Sequence, residues 1–140
     1  MEIYGHACVF NVPDNARDVF APSCFDDFLR DSNHLSVPML NNHDHSATIG
    51  RWLRFHQDGF GLFVVGELDS DSPLAFPYPG LSIKPIRCQG SPNPNVWGGK
   101  LCRQAWIEEI SLVEMPTNPA ARVIGPWCEV NPATVKGAVG

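Results

Sequence analysis

Two histidines and an aspartate stand together in His43-Asp44-His45, just after the short apolar run 37–40. Histidine changes charge near neutral pH, so either ring is suited to act as a general base. Two histidines one residue apart on a strand also share a face, where they can bind a metal, and Asp44 would add an oxygen ligand. The sequence shows no third ligand at a recognisable spacing. A catalytic base, a metal site and a polar patch without chemistry all stay open at this point.

One serine stands between two large apolar residues in Gly80-Leu81-Ser82-Ile83. A serine hydroxyl is a weak nucleophile until a base takes its proton, so a catalytic serine must first be held in a fixed position. The segment lacks the second glycine of the G-x-S-x-G turn of α/β-hydrolases. Most serines in strands are structural, and Ser82 alone does not decide between the two roles.

Adjacent carboxylates, Glu108 and Glu109, precede the apolar run 110–113. Such pairs are usually solvated, but a carboxylate that turns inward can orient a histidine, which is the third role in a catalytic triad. Alternation along a strand puts Glu109 on the same face as Ser111 and Val113. The spacing does not say which face is inside.

Composition narrows the class of protein. The 140 residues predict one domain, and a formal net charge of −5 without a lysine or arginine run argues against nucleic-acid binding. No apolar stretch is long enough for a membrane span, and the first residues do not have the pattern of a secretory signal. The five cysteines form no C-x-x-C pair, which argues against a disulfide framework or a zinc knuckle and favours reduced thiols.

The apolar pattern predicts short strands joined by turns. The 13 prolines also favour strands and loops over helices. We predict a short helix over 24–30 with Ser23 as its N-cap, a hairpin turn at Asp58-Gly59, a loop over 88–99 and a flexible tail over 129–140 that follows a single domain over 1–128. The predicted strands cover 3–12, 19–20, 37–40, 49–55, 61–68, 81–86 and 101–113. This pattern is typical of a mainly β (α+β) protein, a small and mostly antiparallel barrel or sandwich.

Four blocks of the chain form a pattern when taken in order: GHACVFNVPDNARDVFAPSCFDDFL at 5–29, VPMLNNHDHSATIGRW at 37–52, GLSIK at 80–84 and EISLVEMPTNPAARV at 109–123. In this order they resemble the prohead (procapsid maturation) protease family of tailed phages and gene transfer agents. Members of that family show a G-x-A-x-x-F opening, an H-D before a P-I-G-R-W-like strand, a G-L-S-I-G segment and a late E-V-S-L-V-x-x-P-A-N-P.

The resemblance implies a β-barrel with flanking helices, similar to the herpesvirus assembly proteases. It also implies a serine endopeptidase, active in the procapsid within the host cytoplasm, that processes scaffold and major capsid protein and then digests itself. Carried over by position, Ser82 is the nucleophile, His43 its base and Glu109 the third member. The resemblance implies no cofactor and no metal. A homodimer is a further expectation, although the sequence marks no interface.

This chain departs from the family pattern in two places. Only Ser70 to Pro79 are available where members carry a helix of about a dozen residues or more, and Lys84 stands where they have glycine. A glycine at this position can adopt a geometry in which a backbone N–H donates to the oxyanion, and that donor could be missing here. We therefore consider the Arg87 side chain as a substitute for it. The departures also motivate an alternative, a non-catalytic structural or assembly protein of the virion that keeps the protease fold.

Overall fold

The computed structural model describes residues 2–69, 80–118 and 120–123. Within these ranges the chain is mainly β, as predicted, with seven strands, one short α-helix and one 3-10 turn. The elements are β1 (Glu2–Val9), β2 (Val19–Phe20), α1 (Asp26–Asp31), a 3-10 turn (His34–Ser36), β3 (Pro38–Asn41), β4 (Asp44–Gln57), β5 (Gly61–Leu68), β6 (Gly80–Gly90) and β7 (Leu101–Val113).

The strands form one curled sheet in the order β1-β5-β4-β3-β7-β2, with β6 paired to β7. Most neighbours are antiparallel, but β2 and β3 run parallel to β7. Two bridges, Gly5 to Val123 and Gly80 to Arg122, connect both β1 and β6 to the segment that follows β7. The sheet therefore curls towards closure, as the predicted barrel requires.

Apolar side chains fill the concave side of the sheet and the space beneath α1. Alternation along the strands sends one set of side chains inward, and burial of such apolar surface is the main stabilising contribution to a fold. Phe25 and Phe28 place aromatic rings under α1, and Phe25 stacks on Phe20 with 5.9 Å between ring centroids. The most deeply buried members of the core include Ile3, Phe25, Met39, Leu40, Leu62, Val64, Leu81, Ile110 and Leu112.

The predicted N-cap of the helix is wrong. The helix begins at Asp26, and the residue in the N-cap position is Phe25, which makes no side-chain cap hydrogen bond. Ser23 has a φ of 68°, whereas an N-cap serine usually has extended backbone. Its carbonyl instead accepts a hydrogen bond from the Asp26 N–H at 3.1 Å. Ser23 therefore belongs to the turn that precedes the helix.

Several strand boundaries also differ from prediction. Strand β1 ends at Val9 rather than at residue 12, because the chain turns over residues 10–12. Strand β6 continues to Gly90, so the predicted loop over 88–99 begins three residues later, at Ser91. The pairing of β6 with β7 shifts register at Lys84/Pro85 and again before Gly90, and such bulges let a strand continue past a proline. Strand β4 begins at Asp44 because the hairpin with β3 pairs Asn41 with Asp44.

Some expectations fall on residues outside the described ranges. The shortened segment 70–79 and the predicted tail 129–140 are among them, so the domain boundary at residue 128 stays a prediction. In the part of the chain that is described, no helix is long and apolar enough to cross a membrane.

Candidate active site

Ser82, His43 and Glu109 meet at one place, although they are far apart in the sequence. The His43 ring lies between the other two side chains, with Nδ1 2.6 Å from Oε2 of Glu109 and Nε2 3.2 Å from Oγ of Ser82. An ionised carboxylate only accepts hydrogen bonds, so Nδ1 carries the hydrogen in this pair. In the neutral ring Nε2 is then an acceptor, directed at the serine hydroxyl. This is the arrangement by which a histidine takes a proton from serine.

The register between β6 and β7 explains why Ser82 faces the acid. Ser82 pairs directly with Ser111, and Glu109 precedes Ser111 by two residues on β7. Directly paired residues of antiparallel strands have side chains on the same face, as do residues two apart on one strand. Ser82, Ser111 and Glu109 therefore share one face of the sheet.

The β3–β4 hairpin brings the histidine to the same place. Strand β3 runs parallel to β7 with Leu40 beside Ser111, so the turn after Asn41 lies next to the end of β7. The two turn residues, Asn42 and His43, have φ values of 49° and 62°. Positive φ at both positions identifies a type I′ turn, in which the second position is usually glycine. A histidine there has a less favourable backbone conformation, and such strain is often found at functional sites.

Ser111 is part of this cluster, and sequence reasoning gave it no role. Its hydroxyl donates to Glu109, with 3.0 Å to Oε1 and 3.3 Å to Oε2, and it accepts the backbone N–H of His43 at 3.0 Å. The predicted face shared by Glu109 and Ser111 was the only sequence signal of this contact. The contact to His43 depends on the pairing of β3 with β7, which residue spacing does not reveal.

Burial separates this cluster from the rest of the described core. The buried polar residues in the described ranges are Ser82, Glu109 and Ser111, and Glu109 and Ser111 are 0% exposed. A buried carboxylate is strongly unfavourable unless it is paired and hydrogen-bonded. Glu109 has both the His43 ring and the Ser111 hydroxyl as partners. The His43 side chain remains 42% exposed, so its ring connects the buried acid to the surface.

The two adjacent glutamates have different environments. Glu109 points into the core, whereas Glu108 lies on the other face and forms an ion pair with Lys84, with 2.9 Å between Nζ and Oε2. This pair raises the pKa of Lys84 and lowers the pKa of Glu108. Lys84, at the position where the resemblance predicts glycine, is thus held by Glu108 at the surface.

Two surface cavities adjoin Ser82, and both are also lined by Ile83, Pro85 and Thr117. The first, of about 250 Å³, is mostly apolar and includes Phe20, Leu81 and the carboxylates of Asp14 and Asp18. Burial raises the pKa of Asp14. The second, of about 440 Å³, is more open and includes His43, His45 and Lys84. Ser82 therefore lies where the two cavities meet, although only 4% of its surface is exposed.

The structure does not bring Arg87 to this cluster. Its guanidinium lies 5.3 Å from the centroid of the Trp106 ring, and it lines a separate cavity with Phe28 and Ile107. Ser82 lies in other cavities, which Arg87 does not line.

His45 and Asp44 are exposed, and Asp44 accepts the backbone N–H of Ser46 at 2.9 Å. Across residues 2–69, 80–118 and 120–123, no three histidine, cysteine, aspartate or glutamate side chains are grouped so that they would hold a metal.

Comparison with known proteins supports the family expected from the sequence. Residues 1–79 match the family model described as Caudovirus prohead serine protease, a range that includes His43 and ends before Ser82. A search of curated protein sequences finds no match.

A solved structure of the KSHV protease, in complex with a hexapeptide phosphonate inhibitor, has a similar fold. Its TM-score is 0.60, with 15% sequence identity over 88% of this chain and 63% of that one. At this identity the similarity concerns the fold alone, and it confirms the predicted likeness to the herpesvirus assembly proteases. This chain spans less than two thirds of the length of the KSHV protease chain.

Proposed function

The chain belongs to the Caudovirus prohead serine protease family, and on this premise we propose that it is a serine endopeptidase of phage head maturation. Its substrates would be the scaffold and the major capsid protein, cleaved inside the procapsid in the host cytoplasm, with self-digestion at the end. The observation that carries the proposal is the His43 ring, which lies within hydrogen-bond distance of both Ser82 and Glu109.

The reaction would follow from these contacts. His43 Nε2 takes the Ser82 proton as Oγ attacks the peptide carbonyl carbon, and the ring then gives this proton to the leaving amine. Glu109 keeps the hydrogen on Nδ1 and stabilises the charged ring while it holds the second proton. Water, activated by the same ring, then attacks the acyl-enzyme and releases the carboxylic acid and the free serine. Arg87 has no part in this scheme because its guanidinium lies over the Trp106 ring, in a cavity that does not include Ser82.

The two cavities suggest how a substrate would lie. The leaving amine must receive its proton from His43, so the cavity that His43 lines suits the amine side of the scissile bond. The more apolar cavity, lined by Phe20 and Leu81, would then accept a side chain from the acyl side. A pocket of this kind gains binding energy from buried apolar surface.

Co-expression tests the proposal directly. The chain is produced together with the major capsid protein and scaffold of the same phage, and the products are followed by mass spectrometry. We expect defined cleavage of at least one of them, and loss of that cleavage in Ser82→Ala. For a nucleophile the expected loss in turnover is about 10⁶-fold, with the fold retained.

The co-expression experiment also distinguishes the non-catalytic alternative. If the wild-type chain is folded and enters the procapsid but leaves both partners intact, it is an assembly protein that has kept the protease fold. The Lys84 side chain pairs with Glu108, and Lys84 also lines the open cavity beside Ser82, so its replacement of glycine stays one motive for that alternative.

A further inference from the structure

We infer that Ser111 is a positioning residue of this active site, whose single hydroxyl fixes both the backbone of the base and the acid that orients it. This inference rests on the proposed function, because it gives Ser111 a role in the same reaction. Ser111 does not contact the reacting atoms in this arrangement. It acts through His43 and Glu109.

The hydrogen-bonding capacity of a hydroxyl matches the contacts of Ser111. A serine hydroxyl has one proton to donate and lone pairs to accept with. Here the proton is directed to the Glu109 carboxylate at 3.0 Å, and Oγ accepts the His43 N–H at 3.0 Å. Ser111 is fully buried, so no water replaces either partner without a change in packing.

The backbone contact matters because the histidine occupies a strained position. His43 has a φ of 62° in a turn position that glycine usually occupies. Strained residues keep such conformations only when the surrounding structure holds them in place. Two hydrogen bonds to β7 do so here, from the His43 N–H to Ser111 Oγ and from the Asn42 N–H to the Leu112 carbonyl at 2.9 Å.

The side-chain contact fixes the carboxylate. Glu109 has two side-chain partners, the His43 ring at 2.6 Å and the Ser111 hydroxyl. Without the hydroxyl, the carboxylate is held only by the ring that it is meant to orient. The same loss removes one of the two hydrogen bonds that hold the turn on β7. Both the acid and the backbone of the base can then shift, and the distance from Nε2 to Ser82 Oγ changes with them. A misplacement of about 1 Å can slow a reaction about 10²-fold.

A purely structural role for Ser111 makes a different prediction. A buried serine that satisfies local polar groups would, on removal, lower the free energy of unfolding and leave the reactivity of each folded molecule unchanged. A positioning role requires that reactivity per folded molecule falls. The readout must therefore be a rate measured on folded protein, beside an independent measurement of stability.

The test uses an alkyl fluorophosphonate, which needs no knowledge of the natural substrate. Ser82 Oγ forms a bond to phosphorus and the P–F bond breaks, while the serine proton passes to His43 and leaves with fluoride as HF. We expect Ser111→Ala to lower the second-order labelling rate about 10- to 100-fold. Ser111→Thr keeps the hydroxyl and should recover most of that rate. Thermal unfolding of each variant identifies the folded fraction.

Two further variants keep the inference falsifiable. Val113→Ala shortens an apolar side chain on the same face of β7, so it should lower stability and leave the labelling rate per folded molecule unchanged. If Ser111→Ala does not fold, Ser111→Cys keeps the shape with a much weaker hydrogen-bonding group and should still label more slowly.

Labelling of Ser111→Ala or Ser111→Cys at the wild-type rate would overturn the role of Ser111 and leave the proposed function intact. Absence of labelling in the wild-type protein would instead count against the proposed function itself.

Discussion

The two halves of β7 differ in what they bury. Towards its start, β7 places Cys102 and Ala105 against β2 and α1, in a region of aromatic rings and thiols. Towards its end, the same strand buries Glu109 and Ser111, which meet Ser82 and His43. Both ends of β7 are extended strand, but only the second end buries polar side chains in the described core.

The later half also buries the core residues Ile110 and Leu112, so the difference lies in the added polar groups, which the proposed function needs and the fold does not. Apolar burial stabilises a fold wherever it occurs, at about 25 cal/mol per Å² of surface. A buried carboxylate does not stabilise by itself and is often replaceable by apolar residues without loss of stability. The buried polar residues of the described core all belong to one hydrogen-bonded cluster. A role in a reaction therefore explains this clustering better than a role in folding.

Among substitutions that compare the two halves of β7, the largest expected effect comes from the polar half. Glu109→Gln keeps the shape of the side chain and removes its charge, so the ring loses the partner that fixes its tautomer and stabilises its charged form. We expect the turnover number to fall about 10⁴-fold, with little change in the thermal midpoint. Steady-state kinetics on a peptide that spans a capsid cleavage site gives the turnover number. Calorimetry on the same samples gives the thermal midpoint.

A matched control for that substitution is the neighbouring carboxylate. Glu108→Gln removes the same charge one residue away, on the exposed face of β7 and outside the hydrogen-bonded cluster. Its activity should stay within about twofold of wild type, since surface ion pairs contribute little. Equal losses in the two variants would mean that Glu109 has no special role.

A substitution in the apolar region around the start of β7 should lower stability without slowing the reaction. Phe25→Ala removes a fully buried ring, so the free energy of unfolding should fall by about 3–5 kcal/mol. The reactivity of Ser82 in each folded molecule should be unchanged, because Phe25 lines neither cavity and meets the first only through Phe20. Denaturant unfolding gives the first quantity and active-site titration the second.

Phe60→Ala serves as the control, since its ring is 73% exposed and should change stability by no more than about 0.5 kcal/mol. A Phe25→Ala protein that is stable but inactive would contradict the division between the two halves.

The smallest effect concerns the thiols of the apolar half. Burial raises the pKa of Cys8 and Cys24, and raises that of Cys102 from 9.0 to about 12. Above pH 9.0 the unfolded chain therefore loses these protons before the folded chain does. The stabilising contribution is complete below that pH and is lost as the pH rises towards the folded value.

Denaturant unfolding between pH 8 and 11 measures the alkaline loss of stability. In Cys102→Ala the free energy of unfolding should fall less steeply with pH than in the wild type, because the variant has one buried thiol fewer. An equally steep fall in both proteins would show that Cys102 does not contribute.

Much of the site could be predicted, and the reasons differ from residue to residue. The triad could be assigned to Ser82, His43 and Glu109 because their sequence blocks resemble one family in order and spacing. Each of these residues alone was ambiguous. The fold class followed from short alternating runs separated by proline and glycine.

What could not be predicted depends on contacts between distant strands. The role of Ser111 requires the parallel pairing of β3 with β7, and periodicity within one strand carries no information on its neighbours. The extension of β6 to Gly90 depends on bulges that let it pass Pro85. Ser23 has the residue type of an N-cap, but its φ of 68° places it in a turn.

The central claim is that Ser82 is a nucleophile activated by His43. The most direct test is to locate the adduct formed when the native protein reacts with an alkyl fluorophosphonate. Peptide mapping should find one phosphonate per chain, on Ser82, and the label should be absent from Ser82→Ala and greatly slowed in His43→Ala. A folded wild-type protein that stays unlabelled, or that carries the adduct on a different residue, would contradict the account.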